Sequence, residues 1–349
     1  NRAVHLRLLD LLGADANRFE WIIQEKGEST ARFCLRIGRL VRRQKIGLLY
    51  LNTISRHHIF YAGMLATLGN TISVLTVHDV NCLFQEKFSL EPRKLVRWLG
   101  KKWLVRLVAA FNTVAETVKP VLAAKAGPSR KVFTVPGAVF ESTARYVPVE
   151  NSLQIVIPGS LDKKRRNYEQ VFLLHELTRG LPVFLTLLGG GNDAYAKEIK
   201  LRCEQSGSER LRWFNNNIVE QEVFDEELNQ AHFIWIPSVV ETRICGDIPE
   251  VYGLTKSSGN IFDIIKHAKP FIYPESLRVP AVLKTAGISY HSVQEIAEAM
   301  KLFIENPQHY RKWATEAEKA SQQFTVEKVR IQQYPLFEGR IDNEVPSSR

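Results

Sequence analysis

The stretch LQIVIPGSLDKKRRNYEQVFLLHEL, residues 153–177, decides the fold of this chain. An apolar run ends at Gly159, the four cations 163–166 follow, and a helical pattern begins near Asn167. A strand, a glycine turn and a helix N-terminus in this order bring free backbone N–H groups and the positive end of the helix dipole to one point. Because guanidinium and ammonium groups lie beside that point, the stretch predicts a diphosphate site. A solvated basic loop is the alternative.

Apolar strand-like runs alternate with helical patterns on both sides of this stretch. Strands are predicted at residues 19–24, 46–51, 72–77, 109–114, 132–135, 154–157, 183–188, 211–214, 233–236 and 271–273. Helices are predicted at residues 31–43, 57–68, 92–106, 116–126, 168–178, 194–205, 221–231, 260–267, 293–304 and 308–322. Strands that alternate with helices indicate parallel sheets. Since the pattern occurs twice, the predicted fold class is α/β, with two facing Rossmann-like doubly wound domains.

The boundary between these domains is predicted in the polar stretch 145–152, which contains Pro148. It separates an N-terminal domain at residues 1–148 from a C-terminal domain at residues 149–325. Residues 326–349 form a C-terminal segment that we expect to pack back on the N-terminal domain. The opening residues 1–13 predict an amphipathic helix, whereas a Rossmann-like unit begins with a strand. We therefore expect the first strand of the N-terminal domain to be missing from this sequence.

The composition is that of a globular protein, with 45% hydrophobic and 24% charged residues among 349. No apolar run approaches the roughly 18–20 residues of a membrane-spanning helix. The four cysteines lie far apart and show no metal-ligand spacing; they are Cys34, Cys82, Cys203 and Cys245. This cysteine usage predicts reduced thiols in a cytoplasmic protein.

The net charge of +10 is distributed unevenly along the chain. Residues 1–150 hold 23 Lys or Arg against 11 Asp or Glu, a net charge of +12. The remaining residues hold 24 against 26, a net charge of −2. A basic first half predicts an anionic partner, and the candidates are a membrane surface, a nucleic acid and a polyanionic acceptor.

Residues 91–109, EPRKLVRWLGKKWLVRLVA, combine apolar and cationic residues in one predicted helix. At helical spacing an apolar stripe is expected to face the core; its members are Leu95, Leu99, Trp103 and Leu107. A second stripe consists of Arg93, Arg97 and Lys101. Cations with interleaved Trp suit a surface of anionic lipid, which would place the protein peripherally at the inner membrane face. A partly buried helix with a solvated basic face is the alternative.

Residues at the ends of the predicted strands are the candidates for chemistry, because open α/β sheets bind ligands beyond the carboxyl ends of their strands. In the second half these ends are residues 159–166, 189–191, 215–217, 237–238 and 252–259. The run Lys256-Ser257-Ser258-Gly259 precedes a helix, so it suits an anion site or a plain N-cap. Asp263, one turn further, is placed to bind a ribose or sugar hydroxyl.

Two strand ends of the first half are equally polar. The strand 72–77 ends in His78-Asp79, and a histidine with a near-neutral pKa donates or accepts a proton. The preceding strand ends in residues 52–57, and the acceptor-binding candidates there are Thr53, Arg56 and His57.

The order of these motifs resembles a GT-B glycosyltransferase of the GT4-like (glycosyltransferase group 1), retaining type. The resemblance runs from about residue 45 to 322 and rests on the strand that ends in His78-Asp79, NTVAE at 112–116, VFTVPGAVF at 132–140, IPGS with the basic run, LLGGG, IWIPS and KPFIYP. It implies a UDP- or GDP-linked sugar donor on the C-terminal domain and an acceptor on the N-terminal domain. It also implies that neither a metal nor a further cofactor is needed.

The resemblance assigns roles to residues at matching positions. Arg166 takes the place of the family's donor-binding lysine, and His78, beside Asp79, lies near the transferred sugar, so the predicted catalytic residues are His78, Asp79 and Arg166. The predicted donor-binding residues are Gly159, Ser160, Arg165, Arg166, Gly190, Asn217, Ile218, Lys256, Ser257, Ser258, Gly259 and Asp263. The main chain of Asn216, Asn217 and Ile218 would lie where the base binds.

Two departures from the family pattern bear on activity. The usual arginine after the loop glycine is Ser160, and the usual pair of glutamates, eight residues apart, is Thr255 and Asp263. The predicted function is transfer of a sugar to a glycan or lipid-linked glycan. The alternatives are a non-catalytic partner subunit, a nucleotide-sugar epimerase and a DNA-modifying glucosyltransferase. A nucleic-acid partner is disfavoured because no basic track carries regularly interleaved aromatic residues.

Overall fold

The computed structural model describes residues 5, 6, 8, 9, 12–141 and 146–338, and at positions 244 and 245 the backbone alone. A four-stranded sheet has the order β1-β2-β3-β4 and consists of β1 (Leu48–Leu51), β2 (Ile72–Val77), β3 (Ala110–Thr113) and β4 (Val132–Thr134). In it β1 pairs with β2, and β3 with β4, in parallel. A two-stranded antiparallel hairpin consists of β9 (Glu241–Cys245) and β10 (Ile248–Val251).

A six-stranded sheet has the order β12-β11-β8-β5-β6-β7. Its strands are β5 (Leu153–Pro158), β6 (Val183–Leu188), β7 (Leu211–Trp213), β8 (Phe233–Trp235), β11 (Phe271–Pro274) and β12 (Gly287–Tyr290). All its pairings are parallel. From β5 the chain moves outward to β6 and β7 on one side and then returns to β8 on the other. This reversal is the topological switch point at which open α/β sheets bind ligands.

Helices follow most of the strands, as parallel connections require. Those before β5 are α1 (Thr30–Arg43), α2 (His58–Leu65), α3 (Val80–Phe84), α4 (Pro92–Leu107) and α5 (Lys119–Ala126). Those after β5 are α6 (Tyr168–Leu177), α7 (Ala194–Ser206), α8 (Gln221–Gln230), α9 (Gly259–His267), α10 (Val293–Glu305), α11 (Pro307–Ser321), α12 (Val326–Gln332) and α13 (Tyr334–Phe337). Short 3₁₀ turns lie at Gly13–Arg18, Glu116–Val118, Ala281–Ala286 and Gln322–Phe324.

The chain divides into two compact units. The first unit comprises Asn1–Leu75 and Lys87–Ala109, and the second unit comprises Thr76–Glu86 and Ala110–Arg349. Within the second unit, Phe140 N–H donates to Phe324 O at 3.1 Å and Thr134 N–H donates to Gln333 Oε1 at 3.0 Å. The predicted C-terminal segment therefore contacts the end of β4 through Gln333, and the residue Phe324 just before it contacts the loop after β4. The predicted domain boundary at 148/149 stays a prediction.

Strand β5 is buried on both faces, which explains its continuous apolar run. Successive side chains of a strand point to opposite faces. Leu153 and Ile155 pack in one core cluster with Tyr168 of α6, whereas Val156 packs in a second cluster with Ile264 of α9. Helices therefore cover both faces of the six-stranded sheet, and the sequence between β5 and α6 is held at the sheet's carboxyl edge.

The α/β class is confirmed, and all but one of the predicted strands form within two residues of their predicted bounds. The strand predicted at residues 19–24 is wrong, because in the structure these residues pair with no other strand. Trp21 Nε1 donates to Ala16 O at 3.4 Å, and Ile23 O accepts from the guanidinium of Arg36 at 2.9 Å. The aromatic and β-branched run thus packs on local partners instead of a sheet.

Several elements were not predicted from the sequence: the β9–β10 hairpin, β12, α3, α12 and α13. The hairpin turn Gly246-Asp247 between alternating residues is a known hairpin signal that was available in the sequence. The predicted amphipathic helix at residues 1–13 lies largely outside the described residues.

Helix α4 buries a different face from the predicted one. Leu99 and Trp103 were expected in the core but are 45% and 40% exposed. The buried residues are Gly100, Lys101 and Leu104. A Cβ on Gly100 would lie 2.6 Å from Ile59 N, so glycine allows α4 to cross α2 at close range. That crossing buries the Gly100 face and leaves the Leu99 face exposed.

Candidate functional site

A cavity of about 460 Å³ opens in the second unit at the carboxyl ends of β5 and β8. This volume lies within the usual range of small-molecule sites. Seven predicted donor-binding residues line it: Gly159, Ser160, Arg165, Arg166, Ser258, Gly259 and Asp263. The structure thus brings the basic loop after β5 and the start of α9 to one cavity at the switch point.

Arg166 is buried at the wall of this cavity and is held by acceptors from two elements. Its guanidinium NH2 group donates to Pro158 O and, at 3.1 Å, to Asn260 Oδ1 of α9, and its NH1 group donates to Ser160 O at 3.1 Å. Its Nε–H has no hydrogen-bond partner among the described residues. Because an arginine carries five N–H donors, this geometry fixes the cation and leaves donors for a ligand.

Gly159 is required by the position of that guanidinium. Its φ is +105°, and a Cβ there would lie 2.7 Å from Arg166 Cζ. Any larger residue would therefore be strained and would displace Arg166. The glycine predicted at this turn therefore leaves room for the buried Arg166 guanidinium next to the end of β5.

The other cations of the basic run differ in their surroundings. Arg165 lines the cavity, and its Nε donates to Asp162 Oδ2 at 3.1 Å. Lys163 and Lys164 are exposed. The N-terminus of α6, which follows, is closed by its own cap, because Asn167 Oδ1 accepts from Glu169 N–H at 3.1 Å. The cation side chains, and not the end of α6, face the cavity.

The N-terminus of α9 opens on the cavity instead. Ser258, Gly259 and Asn260 all line it, and the Ser258 side chain makes no capping hydrogen bond. Asn260 is buried, and its Nδ2 donates to Pro158 O at 3.0 Å, so it joins α9 to the end of β5. Backbone N–H groups and the positive dipole end of this helix are therefore available to an anion. Asn260 was not predicted.

Asp263 and Lys266 line the cavity further along α9. Burial raises the pKa of Asp263 to about 6, although Asn260 and the charge of Arg166 oppose this shift. Lys266 Nζ contacts Asp225 Oδ2 at 2.7 Å. A carboxyl group with a raised pKa titrates close to neutral pH, and it lies near the cations that would hold a diphosphate.

His78 and Asp79 lie beside the Lys256 loop in the second unit. Lys256 Nζ forms an ion pair with Asp79 Oδ1, and Ser257 N–H donates to His78 O at 3.1 Å. Burial lowers the pKa of His78, the charge of Asp79 opposes this shift, and Lys256 adds to it. His78 is therefore neutral near pH 7. Neither His78, Asp79 nor Lys256 is among the residues that line the cavity.

Glu250 of β10 is a buried carboxyl group that the sequence did not single out. It is 0% exposed, and its Oε1 accepts from Cys82 N–H of α3 at 2.7 Å. Burial raises the pKa of Glu250, against the hydrogen bonds from Thr255 and Cys82. A second bond, from Asn81 Nδ2 to Pro249 O at 2.9 Å, joins the same two elements. The hairpin thereby holds the segment that carries His78.

The triple glycine after β6 packs against two neighbouring strand ends. A Cβ on Gly189 would lie 2.0 Å from Gly159 O, and one on Gly190 would lie 2.0 Å from Asn217 O. Glycine at these positions allows the backbone of neighbouring strand ends to approach closely. Lys200 of α7, which was not predicted, donates to Asn215 O at 2.7 Å and to Gly191 O at 3.1 Å. Ile218 is 69% exposed.

The acceptor-binding candidates lie in the first unit. Arg56 and His57 line a groove of about 640 Å³ between the N-terminal ends of α2 and α4, and Thr53 is exposed nearby in sequence. His57 precedes α2 with φ +59°. In the described part of the chain, no group of three His, Cys, Asp or Glu residues is placed to hold a metal ion. Metal independence stays a prediction.

The described helices include none that is both long and apolar enough to cross a membrane. No family model matches the sequence, and neither does any curated protein.

Solved structures do share the fold of this chain. Sucrose-phosphate synthase from Thermosynechococcus elongatus matches with a TM-score of 0.61 and 14% identity, over 91% of this chain and 80% of that chain. The Anabaena protein HepE, in complex with UDP, matches with a TM-score of 0.63 and 14% identity, over 87% of this chain and 81% of that chain. A Listeria monocytogenes protein provisionally named a UDP-N-acetylglucosamine 2-epimerase matches with a TM-score of 0.55 and 10% identity, over 97% and 87%. The predicted GT-B fold is confirmed.

Proposed function

We propose that this GT-B protein is a glycosyltransferase that uses a nucleotide sugar as its donor. The donor is UDP- or GDP-linked, the acceptor is a glycan or a lipid-linked glycan, and transfer proceeds with retention and without a metal ion. The observation that carries the proposal is the convergence of the Arg166 guanidinium and the open N-terminus of α9 on one cavity at the switch point. The UDP bound to the similar HepE supports a uridine diphosphate donor.

The diphosphate of the donor would lie between Arg165, Arg166 and the first turn of α9. Negative charge grows on the diphosphate as the bond from its oxygen to the sugar breaks. Cations and helix N–H groups that are already in place stabilise that charge most in the transition state. Asp263 would accept a hydrogen bond from a ribose or sugar hydroxyl, in the place where the family has a glutamate.

The neutral imidazole of His78 would contact the transferred sugar, and Asp79 would orient the loop through its ion pair with Lys256. The acceptor would bind on the N-terminal domain, residues 1–148, where Thr53, Arg56 and His57 follow a strand end. The donor would bind on residues 149–325. We further propose a cytoplasmic protein that associates peripherally with the membrane that carries a lipid-linked acceptor.

Arg166→Gln tests the proposal most directly, because glutamine keeps N–H donors in the buried position but removes the charge. Removing one contact made only in the transition state costs roughly 3–4 kcal/mol, so turnover of the nucleotide sugar should fall by about two orders of magnitude. Arg166→Lys, which introduces the residue that the family has at this position, keeps one charge and should retain much of the turnover. Alanine would leave Asn260 Oδ1 without its donor and would remove one of two donors from Pro158 O and from Ser160 O. Lys163→Ala, on the exposed side of the same loop, is the matched control. Near-normal turnover in Arg166→Gln would refute the assignment.

Epimerisation of a nucleotide sugar is the second candidate, and the similarity to the Listeria protein favours it. An epimerase consumes the donor when no acceptor is present, whereas a transferase requires an acceptor. Purified protein with UDP-sugars alone separates the two by product analysis. Ser160 and Thr255, which replace family residues, favour a third candidate, a subunit that binds the donor and turns over none in either assay.

A further inference from the structure

The exposed side of α4 carries an apolar stripe of three residues. Val96, Leu99 and Trp103 occupy positions i, i+3 and i+7, which share one face of a helix. Their exposed fractions are 50%, 45% and 40%. Apolar side chains at this spacing normally mark the buried face of a domain helix. Here the close crossing at Gly100 turns the adjacent face, with Lys101 and Leu104, inward, so the stripe stays on the surface of the first unit.

A groove continues from this stripe along the N-terminal ends of α2 and α4. Its volume is about 640 Å³, and Ile59, Phe60 and Val96 supply its apolar wall. Arg93 and Arg97 of α4 line the same groove, and both side chains are exposed. An apolar slot beside two guanidinium groups suits a ligand that has a hydrocarbon part and an anionic head.

The charge of α4 favours an extended anionic surface over a single small ligand. The helix carries six cations and no acidic residue. Lys101 is buried, and the five exposed cations are Arg93, Lys94, Arg97, Lys102 and Arg106. Trp98 contacts Phe88 edge-on, with ring centroids 5.4 Å apart, and Phe88 is 60% exposed. Cations around exposed aromatic and aliphatic side chains are typical of segments that lie in the membrane interface.

We propose that the first unit binds the surface of a membrane rich in anionic phospholipid through α4 and the groove beside it. Val96, Leu99 and Trp103 lie among the acyl chains, the groove receives the upper part of one chain, and Arg93 and Arg97 contact phosphate groups. The proposal rests on residues of the first unit alone. It is therefore independent of the donor cavity in the second unit.

Vesicle flotation of the full chain tests the proposal. The protein should float with vesicles of phosphatidylcholine and phosphatidylglycerol, and should stay behind with phosphatidylcholine alone. Each cation near an anionic surface contributes roughly fivefold in affinity, so Arg93→Ala and Arg97→Ala should each lower partitioning by about that factor. Added salt should weaken binding further, because it screens exposed charges.

The double variant Val96→Ser/Leu99→Ser tests whether membrane binding requires the stripe in particular or any exposed apolar side chain. It should lower partitioning about tenfold or more, because it removes apolar surface that enters the interface. Leu201→Ser on α7 of the second unit is the matched control, since Leu201 is 51% exposed. The proposal would be overturned if flotation did not depend on lipid charge. It would also be overturned if the stripe variant and Leu201→Ser lowered partitioning equally. Self-association that only the stripe variant abolishes, with no flotation, would overturn it as well, because the stripe would then bind a second copy of the chain.

Thermal shift with UDP distinguishes failure of this proposal from failure of the proposed function. The stripe and arginine variants should keep the shift of the unsubstituted protein, because none of these residues lines the donor cavity. Loss of the UDP shift in these variants would also contradict the separation of the two sites.

Discussion

Helices α6 and α9 begin at the same edge of one sheet, yet their N-termini differ. The end of α6 follows four cations but is closed by Asn167, whose side chain caps Glu169 N–H. The end of α9 follows two serines, has no side-chain cap, and opens on the cavity. The first-turn acid Glu169 pairs with Arg202, which lowers its pKa, whereas burial raises the pKa of Asp263 one turn into α9.

The difference teaches that a cation run and a helix start need not serve one anion together. The α6 side supplies side chains, Arg165 and Arg166, while the α9 side supplies the helix end. A capped helix has already satisfied part of its N–H groups, so its dipole end offers less to a ligand. Substitutions made in pairs at the two helix ends can therefore break or sharpen the comparison.

The largest expected effect is on stability, in Asp263→Asn. With a pKa raised from 3.8 to about 6, the folded state binds a proton more tightly than the unfolded state. This carboxyl group therefore destabilises the fold above its folded pKa, by about 3 kcal/mol, and the penalty disappears as the pH falls towards 4. Asp263→Asn should raise the free energy of unfolding by that amount at pH 7 and leave it unchanged at pH 4, in denaturant titrations at both values.

Glu169→Gln on α6 is the control for this prediction. Its exposed pair with Arg202 stabilises the fold by at most about 1 kcal/mol, so its removal should weaken the protein slightly at pH 7. A gain in stability from Glu169→Gln, or a gain from Asp263→Asn that persists at pH 4, would contradict the assigned environments.

A carboxylate at the open end of α9 should interfere with donor binding. In Ser258→Asp the new charge caps the helix and occupies the position of the diphosphate, and repulsion at about 4 Å amounts to several kcal/mol near a protein surface. We expect the dissociation constant of UDP, from calorimetry, to rise about 100-fold. Asn167→Asp places the same charge on the end of α6 and should change it less than about threefold. Similar effects at both ends would show that α6 also takes part.

Within the basic run, Arg165→Ala should weaken UDP binding about tenfold, because a hydrogen bond to a charged group contributes about 1.5–3 kcal/mol. Lys163→Ala should change it less than twofold, since Lys163 is exposed and lies away from the cavity. Titration of both variants with UDP at one ionic strength checks this. Equal losses of UDP affinity in the two variants would mean that the basic run attracts UDP by its combined charge and not through a direct contact of Arg165.

The smallest expected effect is that of Asn167→Ala. Loss of the cap should lower the free energy of unfolding by about 1 kcal/mol. UDP affinity should stay unchanged, because the capped end of α6 offers the ligand nothing that the substitution removes. A tighter complex in Asn167→Ala would indicate that the freed N–H groups of α6 reach the diphosphate.

The sequence predicted the strand ends well because a buried parallel strand has a simple signature. The run of β5 is apolar at every position from Ile155 to Pro158, and the glycine and cations that follow mark its carboxyl end. The sequence did not predict that Arg166 would turn inward onto Pro158 O, since spacing does not specify a rotamer. Glu250 was missed for a related reason: a lone carboxylate is expected at the surface, and its partner Cys82 is 168 residues away.

Helix α4 shows where periodicity fails. Apolar residues lie on two of its faces, so the pattern alone does not decide which face is buried. A glycine inside a helix costs roughly 1 kcal/mol relative to alanine, and Gly100 was therefore a sign of a close crossing. A prediction based on Gly100 would have placed Leu104 in the core and Leu99 at the surface.

The segment Thr76–Glu86 makes it difficult to produce the second unit as a single continuous fragment. It is separated in the chain from the rest of the second unit, yet Asp79 pairs with Lys256 and Cys82 binds Glu250. A recombinant fragment that starts at residue 110 or 149 would lack this segment, and Glu250 would lose its hydrogen bond from Cys82 N–H. We expect such a fragment to fold poorly, whereas a fragment with residues 76–86 joined by a linker should recover. The second unit thus consists of two separate segments of the chain, and we do not expect the longer segment to fold without the shorter one.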